Sequence, residues 1–449
     1  MKFLRENKIL MKAIIVLAIP AIIENVLQFF IGVVDMYFVG GLGKEAVSAV
    51  GISNLIMNIY LSFFIAIGVG ATAIIARYIG EGDRDAAKRA ITQSLITTAI
   101  LGIIFGGISF IFAYPILGIT GAEESVLILG KEYFNIVAGP VVFLSLIMVA
   151  SSALRASGDT LTPMIAVILS NFINAVLDFI LVRGVGSFKG MGIAGAALAT
   201  TISRAIAVII LLVVLCKRFK IHKKFKVTLD RGVQKSLLKI GWPAATEKLV
   251  MRVGQIIYGA LIINIGTTAY AAHNIGGTIE NLTYLPCLGF GIAAATLVGQ
   301  KLGANKPDEA VKVGILSFIM STAFMWTIAL VFLIFPEQLA GIFSKDIEVI
   351  NLTADVLKII AIFQPALSCS VVITSALQGA GDTKYPMYAT IIGIWGVRVT
   401  GAGIFGVWLG MGLVGVWLSY ALDISLRSII LMRRYVKKKW LNIEVNIKA

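Results

Sequence analysis

ALRASGDTLTPM (153–164) returns as ALQGAGDTKYPM (376–387), at an offset of 223 in the numbering. The same offset places PAIIE (20–24) on PAATE (243–247). A further matched pair, at an offset of 220, is GMGIAGAALA (190–199) and GMGLVGVWLS (410–419). Several ungapped matches spread over so long a stretch predict two copies of one structural unit.

The composition places the chain in a membrane. Its 449 residues are 58% hydrophobic and only 14% charged, with a mean hydropathy of +0.92. Soluble domains carry about 25% charged residues, so this chain is too apolar to be one. Its three cysteines lie far apart and are interpreted as packing residues, without a metal or disulfide role.

Twelve apolar runs are each long enough to cross a bilayer, which takes roughly 20 residues. The first six runs cover 13–38, 47–76, 91–114, 126–151, 163–182 and 192–216. The second six runs cover 240–265, 269–298, 312–335, 353–379, 387–408 and 412–432. The chain is therefore predicted to be an all-α polytopic membrane protein.

Charges outside these runs orient the spans. Lys and Arg concentrate in the segment 217–239, in RYIGEGDRDAAKR (77–89) and in the tail, which predicts that both termini are cytoplasmic. The net charge of +15 thus reflects membrane topology and does not indicate a nucleic-acid partner. The predicted divisions are an N-lobe (1–216), a basic cytoplasmic linker (217–239), a C-lobe (240–433) and a basic cytoplasmic tail (434–449).

Each copy holds six spans, an even number, so both copies enter the membrane from the same side. We expect two six-helix lobes related by a pseudo-twofold axis along the membrane normal, a common transporter architecture. Because the duplication already supplies both lobes, a monomer suffices.

Asp35 lies inside the apolar run QFFIGVVDMYFVG (28–40). An ionised side chain in hydrocarbon costs about 2.5–3.5 kcal/mol on insertion scales, so this carboxylate either reaches the interface or serves a site. Asn174 and Asp178 are spaced i, i+4 in span five and share a helix face, which Asn171 extends. Two carboxylates and an amide suit Na⁺, and the same pair of carboxylates could instead carry a proton.

Several segments together resemble the multidrug and toxic compound extrusion (MATE) transporters, in particular the DinF-like branch. These segments are IPAIIENVLQFFIGVVDMYFVGGLGKEAVSAVG (19–51), NFINAVLDFILVRG (171–184), GIAGAALAT (192–200) and the paired GDT loops. The resemblance implies twelve helices in two lobes and efflux of amphipathic, cationic organic compounds from the cell. Inward flow of Na⁺ or H⁺ would drive this antiport across the plasma membrane, with no other cofactor.

The resemblance also implies a cation site. Residues matching Asp35, Asn174 and Asp178 bind the coupling cation in related proteins, and would be the metal ligands if that cation is Na⁺. A threonine of span six joins them, matched by Thr200, or by Thr201 because the preceding loop varies in length. Pro20, inside span one, removes a backbone hydrogen bond. It is interpreted either as a static kink or as the point where span one bends.

The second copy lacks the three cation ligands. At the repeat offset Asp35 corresponds to Tyr258, and Asn174 and Asp178 correspond to Val397 and Gly401. A group required by the fold would recur in both copies, so the site is assigned to the N-lobe.

The C-lobe has its own in-span polar residues, namely Glu247, Arg252, Tyr258, Glu280 and Arg398. One interpretation is an ion-pair network between helices, with Glu247 solvated or paired with Lys248. The other is a substrate or C-lobe polar site in which Glu280 attracts a cationic substrate.

Three other classes of membrane protein fit the sequence less well. A lipid or lipid-linked precursor flippase of the same superfamily ranks second, below the antiporter. A flippase would need a strongly cationic cleft, but few arginines lie within the spans. A major-facilitator transporter lacks support, since its Asp-Arg-x-Gly-Arg-Arg type loop is missing after span two. An intramembrane enzyme would need a paired nucleophile and base, and no such pair is apparent, so the chain is predicted not to be an enzyme.

Overall fold

The computed structural model describes residues 7–186, 188–221 and 229–443, and these residues are almost entirely helical. Part of the basic linker and the end of the basic tail lie outside the described residues. In chain order the helices are Lys8–Gly40 (α1), Lys44–Glu81 (α2), Arg84–Ile111 (α3), Ala113–Gly118 (α4), Glu124–Ala138 (α5), Val142–Ala156 (α6), Leu161–Arg183 (α7), Gly192–Phe219 (α8), Arg231–Ile265 (α9), Thr267–Gly303 (α10), Pro307–Ile334 (α11), Pro336–Gly341 (α12), Ile347–Ile362 (α13), Gln364–Gly379 (α14), Lys384–Ile391 (α15) and Gly412–Val436 (α16).

Three irregular features interrupt this helical order. A two-stranded antiparallel hairpin (β1, Gly184–Val185; β2, Phe188–Lys189) separates α7 from α8. Beyond α15 the helix continues as two π-helical segments, Ile392–Val399 and Ala402–Trp408. A short 3₁₀ helix, Lys439–Asn442, follows α16.

The twelve predicted spans are confirmed, but two of them are bent. Among the described residues, ten helical segments are long and apolar enough to cross a membrane. Two further spans are helix pairs, α5 with α6 and α13 with α14, bent by 44° and 57°. Proline accounts for both breaks: Pro140 lies between α5 and α6, and Pro365 stands at the start of α14, where its missing N–H costs no hydrogen bond.

The contacts divide the chain into two compact units, and the divisions fall inside helices rather than in the linker. The N-terminal unit runs from Ile23 to Gly241. The C-terminal unit takes the chain up to Ile22 and from Trp242 onward. The division in α1 comes shortly after Pro20, and the division in α9 comes shortly before Pro243. The first part of α1 thus belongs to the C-terminal unit and the rest of α1 to the N-terminal unit. For α9 the assignment is the reverse. The predicted lobe limits remain a prediction.

Each of these helix starts packs in the same way. In the C-terminal unit, Ala18 of α1 lies against Gly289 of α10, where an added Cβ would come within 3.1 Å of the Ala18 carbonyl oxygen. In the N-terminal unit, Gly241 of α9 lies against Ala66 of α2, with 3.2 Å between an added Cβ and the Ala66 carbonyl oxygen. The two pairs correspond at the main repeat offset. The internal duplication therefore preserves these packing contacts as well as the sequence motifs.

Buried polar contacts also recur between the copies. Arg155 Nη1 donates to Glu24 Oε1 at 2.8 Å and forms an ion pair with that buried carboxylate. At the corresponding positions, Gln378 Nε2 donates to Glu247 Oε2 at 2.9 Å, with Lys248 Nζ at 4.0 Å from Glu247 Oε1. Each contact links the first span of a copy to its fourth, and the predicted partner Lys248 is secondary to Gln378.

The GDT loops show the same recurrence. Asp159 accepts from Arg218 at 3.0 Å, and Asp382 accepts from Arg434 at 2.9 Å. Asp159 also accepts from the backbone N–H of Thr162 at the start of α7. Each loop aspartate therefore fixes a turn and ties it to the last span of its own copy.

We expect Gly289→Ala to destabilise the protein by about 1–3 kcal/mol, because its Cβ would press on the Ala18 carbonyl and the Ile22 side chain. Gly277→Ala, in the same helix with nothing within 4 Å of its added Cβ, is the matched control. The control should be neutral or stabilising by up to about 1 kcal/mol, since Ala is the better helix former. Thermal unfolding midpoints in one detergent measure both, and equal midpoints would contradict the proposed close packing.

The recurring carboxylate contact yields a second prediction. Arg155→Gln gives the N-terminal unit the Glu–Gln pair that the C-terminal unit already has, so Glu24 can keep a hydrogen-bond donor. Arg155→Met removes that donor and should cost about 3–5 kcal/mol, the usual penalty for a buried charge that loses its partner. The same thermal measurement should rank Arg155→Gln clearly above Arg155→Met, and the reverse order would rule out a stabilising role for this contact.

Candidate cation site

The candidate site lies in the N-terminal unit, where α1 and α7 bring two carboxylates together. The carboxyl groups of Asp35 and Asp178 are close enough to interact with each other. Asn174 lies one turn before Asp178 on the same face of α7, and the exposed fractions of these two residues are 3% and 1%. The predicted trio is thus brought together by two helices that lie far apart in the sequence.

Neighbouring polar contacts hold α7 in place beside this trio. Asn171 Nδ2 donates to the backbone carbonyl of Leu27 in α1 at 2.9 Å. Ser170 Oγ donates to the carbonyl of Ser203 in α8 at 3.0 Å. Asn171, expected to extend the polar face, therefore positions α7 against α1.

The site atoms have few hydrogen-bond partners. The buried side-chain atoms without one are Asp35 Oδ1, Asn174 Oδ1 and Nδ2, both carboxylate oxygens of Asp178, and Arg204 Nη1 of α8. Ionised carboxylates have only acceptor atoms, so two of them approach favourably only with a proton or a metal cation between them. The arrangement suits the binding of a small cation.

Arg204 is the charged residue of the site that the sequence interpretation did not assign to it. Its guanidinium interacts electrostatically with Asp35 and with the buried Tyr133 of α5. The i, i+4 spacing of Thr200 and Arg204 on α8 is a signal that could have found it.

The two threonine candidates point to different neighbours. Thr200 Oγ1 donates to the Ala196 carbonyl one turn earlier in α8, whereas Thr201 Oγ1 donates to the Ile136 carbonyl of α5. Thr201 thus ties α8 to α5. Thr200 shares the helix face of Arg204, and its role as a cation ligand remains a prediction.

In the C-terminal unit, the residue at the position equivalent to Asp35 has a hydrogen-bond partner. Tyr258 is buried, and its hydroxyl donates to the Val416 carbonyl at 2.9 Å. His273 and Trp417 lie beside it, and their Nδ1 and Nε1 atoms are buried without hydrogen-bond partners. The Trp417 indole is uncharged, and so is the His273 imidazole when it is unprotonated. This part of the second copy therefore presents no pair of facing carboxylates among the described residues.

Three charged residues of the C-terminal unit, Arg398, Asp423 and Arg427, form a buried ion-pair network. Arg398 and Arg427 both bind Asp423, with nitrogen–oxygen distances of 2.7–2.9 Å. The Arg398 guanidinium also lies 4.3 Å from the centre of the Tyr420 ring, and the Tyr420 hydroxyl donates to Glu280. The ion-pair interpretation thus describes Arg398, with partners that the sequence interpretation had not named.

Arg252 stands apart from this network. It is exposed on α9, where its Nη1 donates to Gln255 Oε1 at 3.2 Å. The structure therefore separates Arg252 from Glu280 and Arg398, with which it had been grouped, and Glu247 is engaged by Gln378 as described above.

The candidate site combines two carboxylates and one amide, those of Asp35, Asp178 and Asn174. Within residues 7–186, 188–221 and 229–443, no group of three or more His, Cys, Asp or Glu side chains is arranged to hold a metal ion. The trio of two carboxylates and one amide falls below that number. Its oxygen ligands are of the hard type that binds hard cations.

Comparison with known proteins agrees with the duplicated fold. A sequence model of the MatE family matches the chain twice, over residues 20–180 and 243–402. The first positions of the two matches, 20 and 243, are related by the main offset of the internal repeat. A probable multidrug resistance protein NorM from Thermotoga maritima is 34% identical, over 96% of this chain and 93% of its own length. An FAD transporter from Shewanella oneidensis is 28% identical over 75% of each chain.

The architecture is also found among solved structures. A MOP superfamily transporter from Pyrococcus furiosus superimposes with a TM-score of 0.89 at 22% identity, and the match covers 97% of both chains. The family match to both halves and the shared architecture confirm the resemblance seen in the sequence. The chain belongs to the MatE family of multi-pass membrane transporters and is not an enzyme.

Proposed function

We propose that this protein is a secondary antiporter that exports small amphipathic organic compounds in exchange for Na⁺ or H⁺. The coupling cation binds between Asp35 and Asp178, with Asn174 as a further ligand and Thr200 as a candidate fourth. The observation that carries this proposal is the pair of facing carboxylates whose buried oxygens lack hydrogen-bond donors. The NorM-named relative supports multidrug efflux as the transport activity.

The difference between the two copies supports the assignment to the N-lobe. The equivalent of Asp35 in the second copy is Tyr258, which has a backbone partner, and the carboxylate of Asp423 is neutralised by two arginines. A pocket that lacks partners for its own acceptors gains more free energy from a bound cation than one already satisfied.

Coupling follows from the placement of Asp35 on α1. A bound cation draws Asp35 towards α7, and its release leaves two carboxylates that repel each other. The cation therefore favours one position of α1, which is the differential contact that alternating access requires. Pro20 provides a point where α1 lacks a backbone hydrogen bond, at the start of the segment that carries Asp35.

For the substrate, a cationic amphipathic compound ranks first. A second candidate is an anionic nucleotide-like compound, favoured by the relative named as an FAD transporter. A lipid-precursor flippase is the third candidate. The ion pair of Arg398 with Asp423 weakens the flippase hypothesis further, because this ion pair leaves fewer free cations for a pyrophosphate headgroup. We further propose a monomer in the plasma membrane with both termini in the cytoplasm.

Purified protein in vesicles loaded with a fluorescent organic cation tests the coupling. Asp35→Asn and Asp178→Asn should each reduce gradient-driven efflux at least about ten-fold, because each removes one charge from the cation site. Asp355→Asn, at an exposed aspartate paired with Lys358, is the matched control and should transport like the unchanged protein.

Imposing a Na⁺ gradient and a pH gradient separately identifies the coupling ion. Unchanged coupling in both site variants would refute the N-lobe site. Absence of efflux of the organic cation with every gradient would instead reject antiport of cations and favour the anionic substrate or the flippase.

A further inference from the structure

Arg204 differs from Arg155 and Arg398 in its ion-pair partners. Arg155 is paired with Glu24, and Arg398 is paired with Asp423, at 2.7–2.8 Å. Arg204, inside the membrane-spanning helix α8, has its Nη1 buried without a hydrogen-bond partner. An arginine within a span is costly and normally finds a partner. The unpartnered Nη1 of Arg204 therefore calls for an explanation.

The acceptors that Arg204 lacks lie in the same site. Asp35 interacts with the guanidinium electrostatically, without a direct ion pair in the described residues. Asp35, Asn174 and Asp178 all have buried oxygens without donors. Ser203, the residue before Arg204 in α8, accepts a hydrogen bond from Ser170 of α7 at 3.0 Å, one turn before Asn174. The buried, unpartnered Arg204 Nη1 thus belongs to a helix that packs against the helix carrying Asn174 and Asp178.

From this juxtaposition we propose that Arg204 is an internal cation that competes with Na⁺ for the Asp35 and Asp178 carboxylates. The inference rests on the cation site proposed above. When Na⁺ is bound, the guanidinium is held away from the carboxylates, on the side of Tyr133. When Na⁺ leaves, the guanidinium moves towards Asp35 and replaces part of the lost charge.

Charge balance explains why such a residue lowers Na⁺ affinity. Two carboxylates and one guanidinium carry a net charge of −1, which is half the net charge of two carboxylates alone. The site with the guanidinium therefore attracts Na⁺ less strongly. Na⁺ must also displace a competitor that is part of the chain and so is present at a high effective concentration. The tethered cation favours release of Na⁺ and so prevents the site from holding it permanently.

Equilibrium binding of ²²Na⁺ to the purified full-length protein tests the proposal directly, at one fixed pH. Arg204→Gln should lower the Kd for Na⁺ about ten-fold or more, because it removes the competing charge while keeping a polar side chain. If the unchanged protein binds too weakly to measure, Arg204→Gln should acquire measurable binding. Arg204→Lys keeps the charge and should stay close to the unchanged protein, which separates an effect of charge from one of packing.

Further variants distinguish failure of the proposal from failure of the site itself. Asp35→Asn should abolish Na⁺ binding both alone and together with Arg204→Gln. Undiminished binding in Asp35→Asn would overturn the proposed site, and with it this inference. If Asp35→Asn loses binding but Arg204→Gln has an unchanged or higher Kd, or if neither the unchanged protein nor Arg204→Gln binds Na⁺, the competition by Arg204 is refuted. Elution as a single monodisperse species confirms that each variant is folded.

Discussion

The cost of an unmatched charge inside a membrane governs how the two copies of this chain differ. In an apolar bundle a carboxylate has no water to bind, so it must be paired, neutralised or reserved for a ligand. The C-terminal unit pairs Asp423 with two arginines and satisfies Tyr258 with a backbone carbonyl. The N-terminal unit leaves buried oxygens of Asp35 and Asp178 without hydrogen-bond partners, and for this reason the cation site is proposed there.

The duplicated scaffold holds this asymmetry in place. The contacts of Glu24 with Arg155 and of Glu247 with Gln378 recur between the copies, as do the loop ion pairs of Asp159 and Asp382. Both copies therefore keep the same ties between spans, and the N-terminal copy alone keeps the facing carboxylates. The division of α1 after Ile22 places Asp35 in the N-terminal unit, while the start of the same helix belongs to the C-terminal unit.

Sequence periodicity could identify what lies along one helix, but not what meets it from another. The apolar runs predict the twelve spans, and the i, i+4 spacing of Asn174 and Asp178 predicts a shared face. The pairing of Asp423 with Arg398 crosses between helices whose relative rotation no spacing rule provides, so it was missed. Arg204 was also not assigned to the site, although its i, i+4 spacing from Thr200 offered a signal along α8. The division of α1 and α9 between the two units could not be predicted from the sequence either, since this division depends on packing rather than on composition.

The π-helical segments of span eleven affect any comparison of the two copies. Span five is regular from Leu161 to Arg183, whereas its counterpart has two stretches with i to i+5 hydrogen bonding. Each such turn takes up about one extra residue, which rotates the following side chains by roughly a quarter turn. The offset of 223 thus aligns residues in sequence there, but the aligned residues do not lie on the same face of the two helices. The match of Asp178 to Gly401 therefore does not relate equivalent sides. Grafting the N-lobe ligands onto the aligned C-lobe positions would therefore present them in a different direction and would not by itself reproduce the N-lobe arrangement.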